Sequence, residues 1–141
     1  MEISRKTIPY TPVSKLLSEM TVMIVSTAGA HLLAQDPFDT SGDATYRVIP
    51  GDAKTSDCTV THGAPVHDYN WEEPRKDVNT IFPLDRLREL VTAGTIGGLA
   101  EKHISMMGYA LRLNEINAVT APAIAKEVDR SRADAVLLTA G

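Results

Sequence analysis

The chain has 141 residues, of which 43% are hydrophobic, 23% charged and 5% aromatic, the profile of one ordinary globular domain rather than a fibre or a disordered segment. Fourteen Lys and Arg against 18 Asp and Glu give a net charge of −4 with no basic cluster, so neither nucleic acid nor anionic membrane is an expected partner. The longest apolar run, Val22 to Val25, is far short of the ~20 residues of a membrane helix, no signal-peptide core is visible, and the single cysteine, Cys58, excludes an internal disulfide and fits a reducing, cytoplasmic setting.

Thr11-Pro12 reads as a helix start, with Val13, Leu16, Leu17 and Met20 spaced as one apolar stripe. Thr21 to Thr27 is a continuous β-branched and apolar run ending in Ala28-Gly29, the pattern of a strand buried on both faces of a parallel sheet. Gln35 to Asp57 is turn-rich loop, with only Tyr46 to Ile49 forming a short strand. Cys58 to Thr61 is a further short strand, followed by a polar loop through Asn79. Phe82-Pro83 then opens a helix with Leu84, Leu87, Leu90 and Val91 on one stripe and Gly94 as its stop. Ile104 to Met107 is the next strand, Leu113 to Val119 a short helix, and Pro122 the first turn of a helix carrying Ala123, Ile124 and Val128. Asp134 to Leu138 closes the sequence as another buried parallel strand before Thr139-Ala140-Gly141. Strands alternating with helices predict one α/β domain over 1–141, with a mainly parallel sheet of Rossmann-like βα units.

Ligands in open α/β sheets bind beyond the carboxyl ends of the strands. Those ends are Ser26-Thr27-Ala28-Gly29, Thr61-His62-Gly63, Met107-Gly108 and Thr139-Ala140-Gly141, the first and last sharing Thr-Ala-Gly. At Gly141 the helix expected after such a turn does not follow, so either the strand ends the fold or the domain is incomplete at its C-terminal end.

Several segments carry a family resemblance. Thr61-His62-Gly63, Asp68, Asp77-Val-Asn79, Phe82-Pro-Leu-Asp-Arg-Leu-Arg-Glu-Leu90, Gly94-Thr-Ile-Gly97 and His103-Ile-Ser-Met-Met-Gly108 occur in order. With Val25-Ser-Thr-Ala-Gly-Ala-His31, Tyr46-Arg-Val-Ile-Pro50 and Asp134-Ala-Val-Leu-Leu-Thr-Ala-Gly141, the sequence resembles the selenoprotein B family of the glycine, sarcosine, betaine and D-proline reductases over nearly its whole length. The resemblance implies a reductase subunit that cleaves a carbon–nitrogen bond of a small amino-acid-like substrate, using a selenocysteine or cysteine and electrons delivered by thiols. In that family the redox residue directly follows the Thr-Ala-Gly position, and a second half of the protein follows it. The chain is then expected to be the N-terminal half of such a subunit, inactive alone, its complement being the missing C-terminal half or a second subunit. A UGA codon read as stop, a processed chain, a split subunit or a cysteine-containing gene cut at that point would each end the sequence there.

No residue in the sequence replaces that redox group. Cys58 begins an apolar strand and reads as a core residue rather than a nucleophile. His62, directly after a strand, is either a general acid or substrate-orienting group, or a structural loop histidine. Ser26, Thr27 and Gly29 can donate hydrogen bonds to an anionic group at the sheet crevice or simply make a tight turn. Asp77 and Asn79 read first as caps near Phe82-Pro83 and second as substrate contacts, and Gly141 marks the turn where the redox residue is expected. Arg86 and Arg88 suit a substrate carboxylate but also a solvated helix face, and His103 lies toward the opposite end of its strand. His67 and Asp68, with His62, offer a weaker alternative as a divalent-metal site, although the spacing matches no zinc pattern and no metal is expected. The remaining alternative is a non-catalytic α/β module that associates, as a homo-oligomer or with a partner, through apolar sheet surface left uncovered.

Overall fold

The computed structural model of the chain describes residues 11–63 and 71–140. In chain order, strand β1 (Thr21–Ser26) and the short β2 (Ala30–Leu32) are followed by β3 (Tyr46–Pro50) and β4 (Cys58–Val60). Helix α1 (Glu72–Lys76) and a 3-10 turn at Val78–Thr80 lead to α2 (Leu84–Thr92), then β5 (Gly98–Leu99) and β6 (Lys102–Met106). The last elements are α3 (Leu113–Glu115), a π turn (Ile116–Thr120), α4 (Ala121–Ser131) and β7 (Ala135–Thr139).

Five strands form the main sheet around β1. On one side β1 pairs in parallel with β5 and then β6, on the other with β7, and β3 lies antiparallel outside β6. The α/β class and the mainly parallel sheet read from the sequence are therefore present. Alternation along the strands sends Val22, Ile24 and Ser26 toward α2, where Phe82, Leu84 and Leu87 are buried, and Met23 and Val25 toward Ile124 and Val128 of α4. Gly94 adopts φ +69 and, with Thr95 donating to the Leu90 carbonyl at 2.9 Å, closes α2 as its sequence position predicted. Pro122 sits in the first turn of α4, and the π turn immediately before it accommodates the hydrogen bond that proline cannot donate.

Four sequence expectations change. Residues 11–20 form no α-helix but a single 3-10 turn at Leu17–Glu19. Of the apolar stripe only Met20 is buried, Val13, Leu16 and Leu17 being 72%, 69% and 53% exposed with nothing to pack on among the described residues, and a helix that short is marginal alone. Cys58–Val60 joins the unpredicted β2 in a separate two-stranded antiparallel sheet instead of entering the parallel one. The polar loop before Asn79 contains α1, whose Glu72 and Glu73 lie in its first turn and Arg75 and Lys76 in its last, matching the helix dipole. β7, whose sequence matches a strand buried on both faces, has Val136 and Leu137 at 36% and Leu138 at 75% exposure among the described residues.

Between the Val22–Leu99 and Val25–Ile104 pairs, the β5–β6 strand advances five residues while β1 advances three. The imidazole of His103, fully buried, fills the resulting gap: its Nδ1 accepts the Ile24 backbone N–H at 3.0 Å in place of a carbonyl. An accepting Nδ1 fixes the neutral ring with its proton on Nε2. Burial, assisted by the Arg88 charge, lowers the His103 pKa from 6.5 to about 4. The unfolded chain takes up this proton near pH 6.5 and the folded chain only near 4, so the contribution is complete above the first value and lost as pH falls toward the second. Urea unfolding is expected to lose on the order of 3 kcal/mol across that window, and His103→Gln, which retains an acceptor but cannot titrate, should lack that component of the fall.

Candidate functional site

The parallel strands β1, β6 and β7 all end on one side of the sheet, and their last polar residues are in register: Ser26 pairs with Ser105 across one edge and with Thr139 across the other. Period-two alternation places these three hydroxyl-bearing residues on the α2 face. Ile81, two residues before Pro83, bridges two of them. Its carbonyl accepts from Ser26 Oγ at 3.4 Å and from Thr139 Oγ1 at 3.2 Å, while Ser26 Oγ also accepts the Ala28 N–H at 3.0 Å. Ser26 is thereby committed to holding the turn after β1 and the approach to α2. Ser105 Oγ, fully buried, has no partner among the described residues.

The β2–β4 pair closes over these ends. Gly29 takes φ +66 and its N–H donates to the Met106 carbonyl at 2.8 Å, while its own carbonyl accepts from Thr61 at 3.0 Å. A Cβ on Gly29 would lie 2.1 Å from the Thr61 oxygen, so only glycine fits. His31 reinforces the pair, with Nδ1 at 2.8 Å from the Leu32 carbonyl and Nε2 at 2.8 Å from Thr61 Oγ1. His62 follows directly. The neighbouring Gly63 N–H donates to Met107 Sδ at 3.1 Å, and Met107 stands next after Ser105 on that side of its strand, so His62 is brought to the end of β6 although β4 lies outside the main sheet. The His62 ring stacks on Trp71 with centroids 4.0 Å apart, and its Nδ1 is buried without a partner among the described residues. Burial lowers the His62 pKa below the ordinary histidine value, with a backbone contact from Gly63 acting in the opposite direction. A neutral ring at neutral pH suits hydrogen bonding or proton acceptance better than proton donation.

The other sequence candidates fall in different places. Thr27 is half-buried and its N–H donates to the Thr139 carbonyl at 3.1 Å, tying the turn after β1 to the end of β7. Asp77 and Asn79 are caps. Asp77 accepts from Asn79 N and Nδ2 at 3.0 and 2.9 Å, and Asn79 Oδ1 accepts the Asp85 N–H in the first turn of α2 at 2.8 Å. Arg88 is held by Asp85 at 2.7 Å and by the carbonyls of Gly51 and Ala53, whereas Arg86 is an exposed partner of Glu89. Cys58 is half-buried, and burial raises its pKa, with Asp57 adding in the same direction, so its thiol is not activated. His67, Asp68 and Gly141 lie outside the described residues. Among those described, no three of His, Cys, Asp or Glu gather as metal ligands, and no helix is long and apolar enough to cross a membrane.

The sequence by itself singles out neither Ser105 nor Thr139. Their signal is a hydroxyl that interrupts an apolar strand at its carboxyl end, visible only once the register is known.

The sequence pattern of the glycine/sarcosine/betaine reductase selenoprotein B family matches residues 3–141. The chain is also 42% identical over 132 residues to the D-proline reductase subunit gamma of Acetoanaerobium sticklandii, covering 94% of this chain and 53% of that protein. It thus spans about half the length of this curated relative. No solved structure matches it.

Two substitutions separate the structural parts of this region. Gly29→Ala, which clashes with the Thr61 backbone at a left-handed φ, is expected to cost about 2 kcal/mol or more, and Asn79→Ala, which removes a cap, about 1 kcal/mol, both read from urea midpoints.

Proposed function

The chain belongs to the glycine/sarcosine/betaine reductase selenoprotein B family, and from that premise we propose that it holds a small amino-acid-like substrate for reductive carbon–nitrogen cleavage by a redox residue placed just beyond β7. Membership makes it part of a reductase-family subunit. The substrate, the inactivity of the chain alone and its cytoplasmic setting are the further content of the proposal.

One observation carries the reading. The end of β7 is hydrogen-bonded to Thr27 and shares the Ile81 carbonyl with Ser26, so any residue following Thr139 in a longer relative leaves the sheet beside the Ser26–Gly29 turn and the His62 side of the site. A selenocysteine or cysteine there would supply the nucleophilic, two-electron redox group, and the only thiol in this chain, Cys58, is half-buried with a raised pKa. Among the described residues three buried side-chain polar atoms lack a partner, His103 Nε2 within the sheet and, toward the end of β6, His62 Nδ1 and Ser105 Oγ, and the last two are the groups that a polar ligand would satisfy. In the net reaction the carbon–nitrogen bond breaks, carbon gains hydrogen, nitrogen gains a proton, and a pair of donor thiols is oxidised to a disulfide. The chain's own residues bind and orient: Ser105 Oγ and the turn after β1 meet the polar end of the substrate, and neutral His62 accepts a hydrogen bond from the substrate nitrogen where that nitrogen carries hydrogen. Trp71, stacked on His62, fixes that ring.

The 141-residue chain is expected to form no product from D-proline, glycine or betaine with dithiothreitol. Joined to the C-terminal half of the A. sticklandii relative, carrying a selenocysteine or cysteine, it should reduce one of them. In that joined protein His62→Gln should lower kcat/KM about 10²-fold with unchanged thermal stability. Product formation by the chain alone would contradict the reading.

A further inference from the structure

β7 differs from the other outer strand of the sheet. β3 carries Arg47 and Pro50, both of which blunt a free strand edge, and its Arg47 guanidinium lies 4.3 Å over the Phe38 ring. β7, Ala-Val-Leu-Leu-Thr, has no charge and no proline, and pairs only with β1 among the described residues. On the α4 side, Val136 and Leu138 border an open apolar groove whose other wall is Ala121, Ala125 and Val128 of α4. Leu138, at 75%, is the most exposed large apolar residue described. A free edge and an apolar groove side by side are what an added strand and helix cover together.

The topology says from which direction they come. The connection from β6 through α4 to β7 steps across β1 and lays α4 on the Met23 and Ile104 face. A further unit stepping outward from β7 moves in the same direction, and parallel connections share one hand, so its helix falls on the same face, over Val136 and Leu138 beside α4. The relative of which this chain covers 53% has the additional length for such a unit.

We propose that the β7 edge and the α4–β7 groove are the docking surface for an α-helix followed by a parallel strand from the second half found in longer relatives. This rests on the reductase-subunit reading. The strand extends the sheet as its next member, and the helix turns an apolar stripe onto Val136, Leu138 and α4. The link from β7 into that helix crosses the end of the sheet that carries the site, so docking brings the redox residue to binding groups that this chain already holds.

The test adds the separately expressed C-terminal half of the A. sticklandii subunit, with cysteine in place of any selenocysteine, to the 141-residue chain. Binding is measured by native mass spectrometry and backbone protection by hydrogen exchange. A one-to-one complex is expected, with new protection in β7 and α4 and none in β3. Leu138→Lys and Ala125→Glu, at the groove, should each weaken binding about tenfold or more, while His62→Gln leaves it unchanged. Tight binding by the two groove variants, protection at β3, self-association of the chain through β7 in preference to the added half, or no complex would each overturn the proposal. A complex at β7 that reduces none of the three substrates would uphold the docking surface and refute the reductase reading.

Discussion

The register of β1 sets the rest of the molecule. This strand is hydrogen-bonded on both sides, and the neighbour on one side inserts two more residues than β1 can match. A backbone ladder would leave the Ile24 N–H without an acceptor in a buried position, a loss of about 1–3 kcal/mol. His103 supplies the acceptor from its side chain and so allows β6 to realign with β1 beyond the break. Ser26 meets Ser105 because of that correction, and meets Thr139 because β7 runs in uninterrupted register from Val22–Ala135 onward. At the opposite end, Asp134 accepts the Thr21 N–H at 3.0 Å and Lys15 at 2.6 Å, pinning the start of β7 to the start of β1.

The two faces of this sheet are differently equipped. The α2 face is polar at the strand ends: Ser26, Ser105 and Thr139 lie beneath the Ile81 carbonyl and the β2–β4 pair that delivers His62. Its geometry is held by Gly29 against Thr61 and by the Asp77–Asn79–Asp85 chain of caps. The α4 face is apolar to its margin and stays open along β7. Polar groups thus gather on one face and open apolar surface on the other, and both reach the carboxyl end of β7.

Much of this was legible in the sequence. The uninterrupted apolar run of β1, the Phe82-Pro83 start and Gly94 stop of α2, and Pro122 at the head of α4 are local signals, and each element forms where its signal stands. Pattern failed where the outcome depends on a distant partner. Val13, Leu16 and Leu17 have helical spacing but nothing to pack on among the described residues, and Ala30–Leu32 is too short to read until Cys58–Val60 pairs with it. The site was partly visible: His62 and the Ser26–Gly29 turn follow from the rule of strand ends, whereas Ser105 depends on a register that His103 corrects. His103 itself read as remote from the site, and it is the residue that aligns it.

Substrate contact is the most direct test of the central claim, that the polar strand ends on the α2 face receive a small amino-acid-like molecule. Backbone amide resonances of the 141-residue chain can be followed during titration with D-proline, glycine and betaine. Saturable shifts confined to Ser26–Gly29, His62–Gly63, Ser105 and Thr139 for at least one of the three are predicted. Shifts centred on Thr55, Asp85 and Arg88, or no saturable shift with any of them, would contradict it.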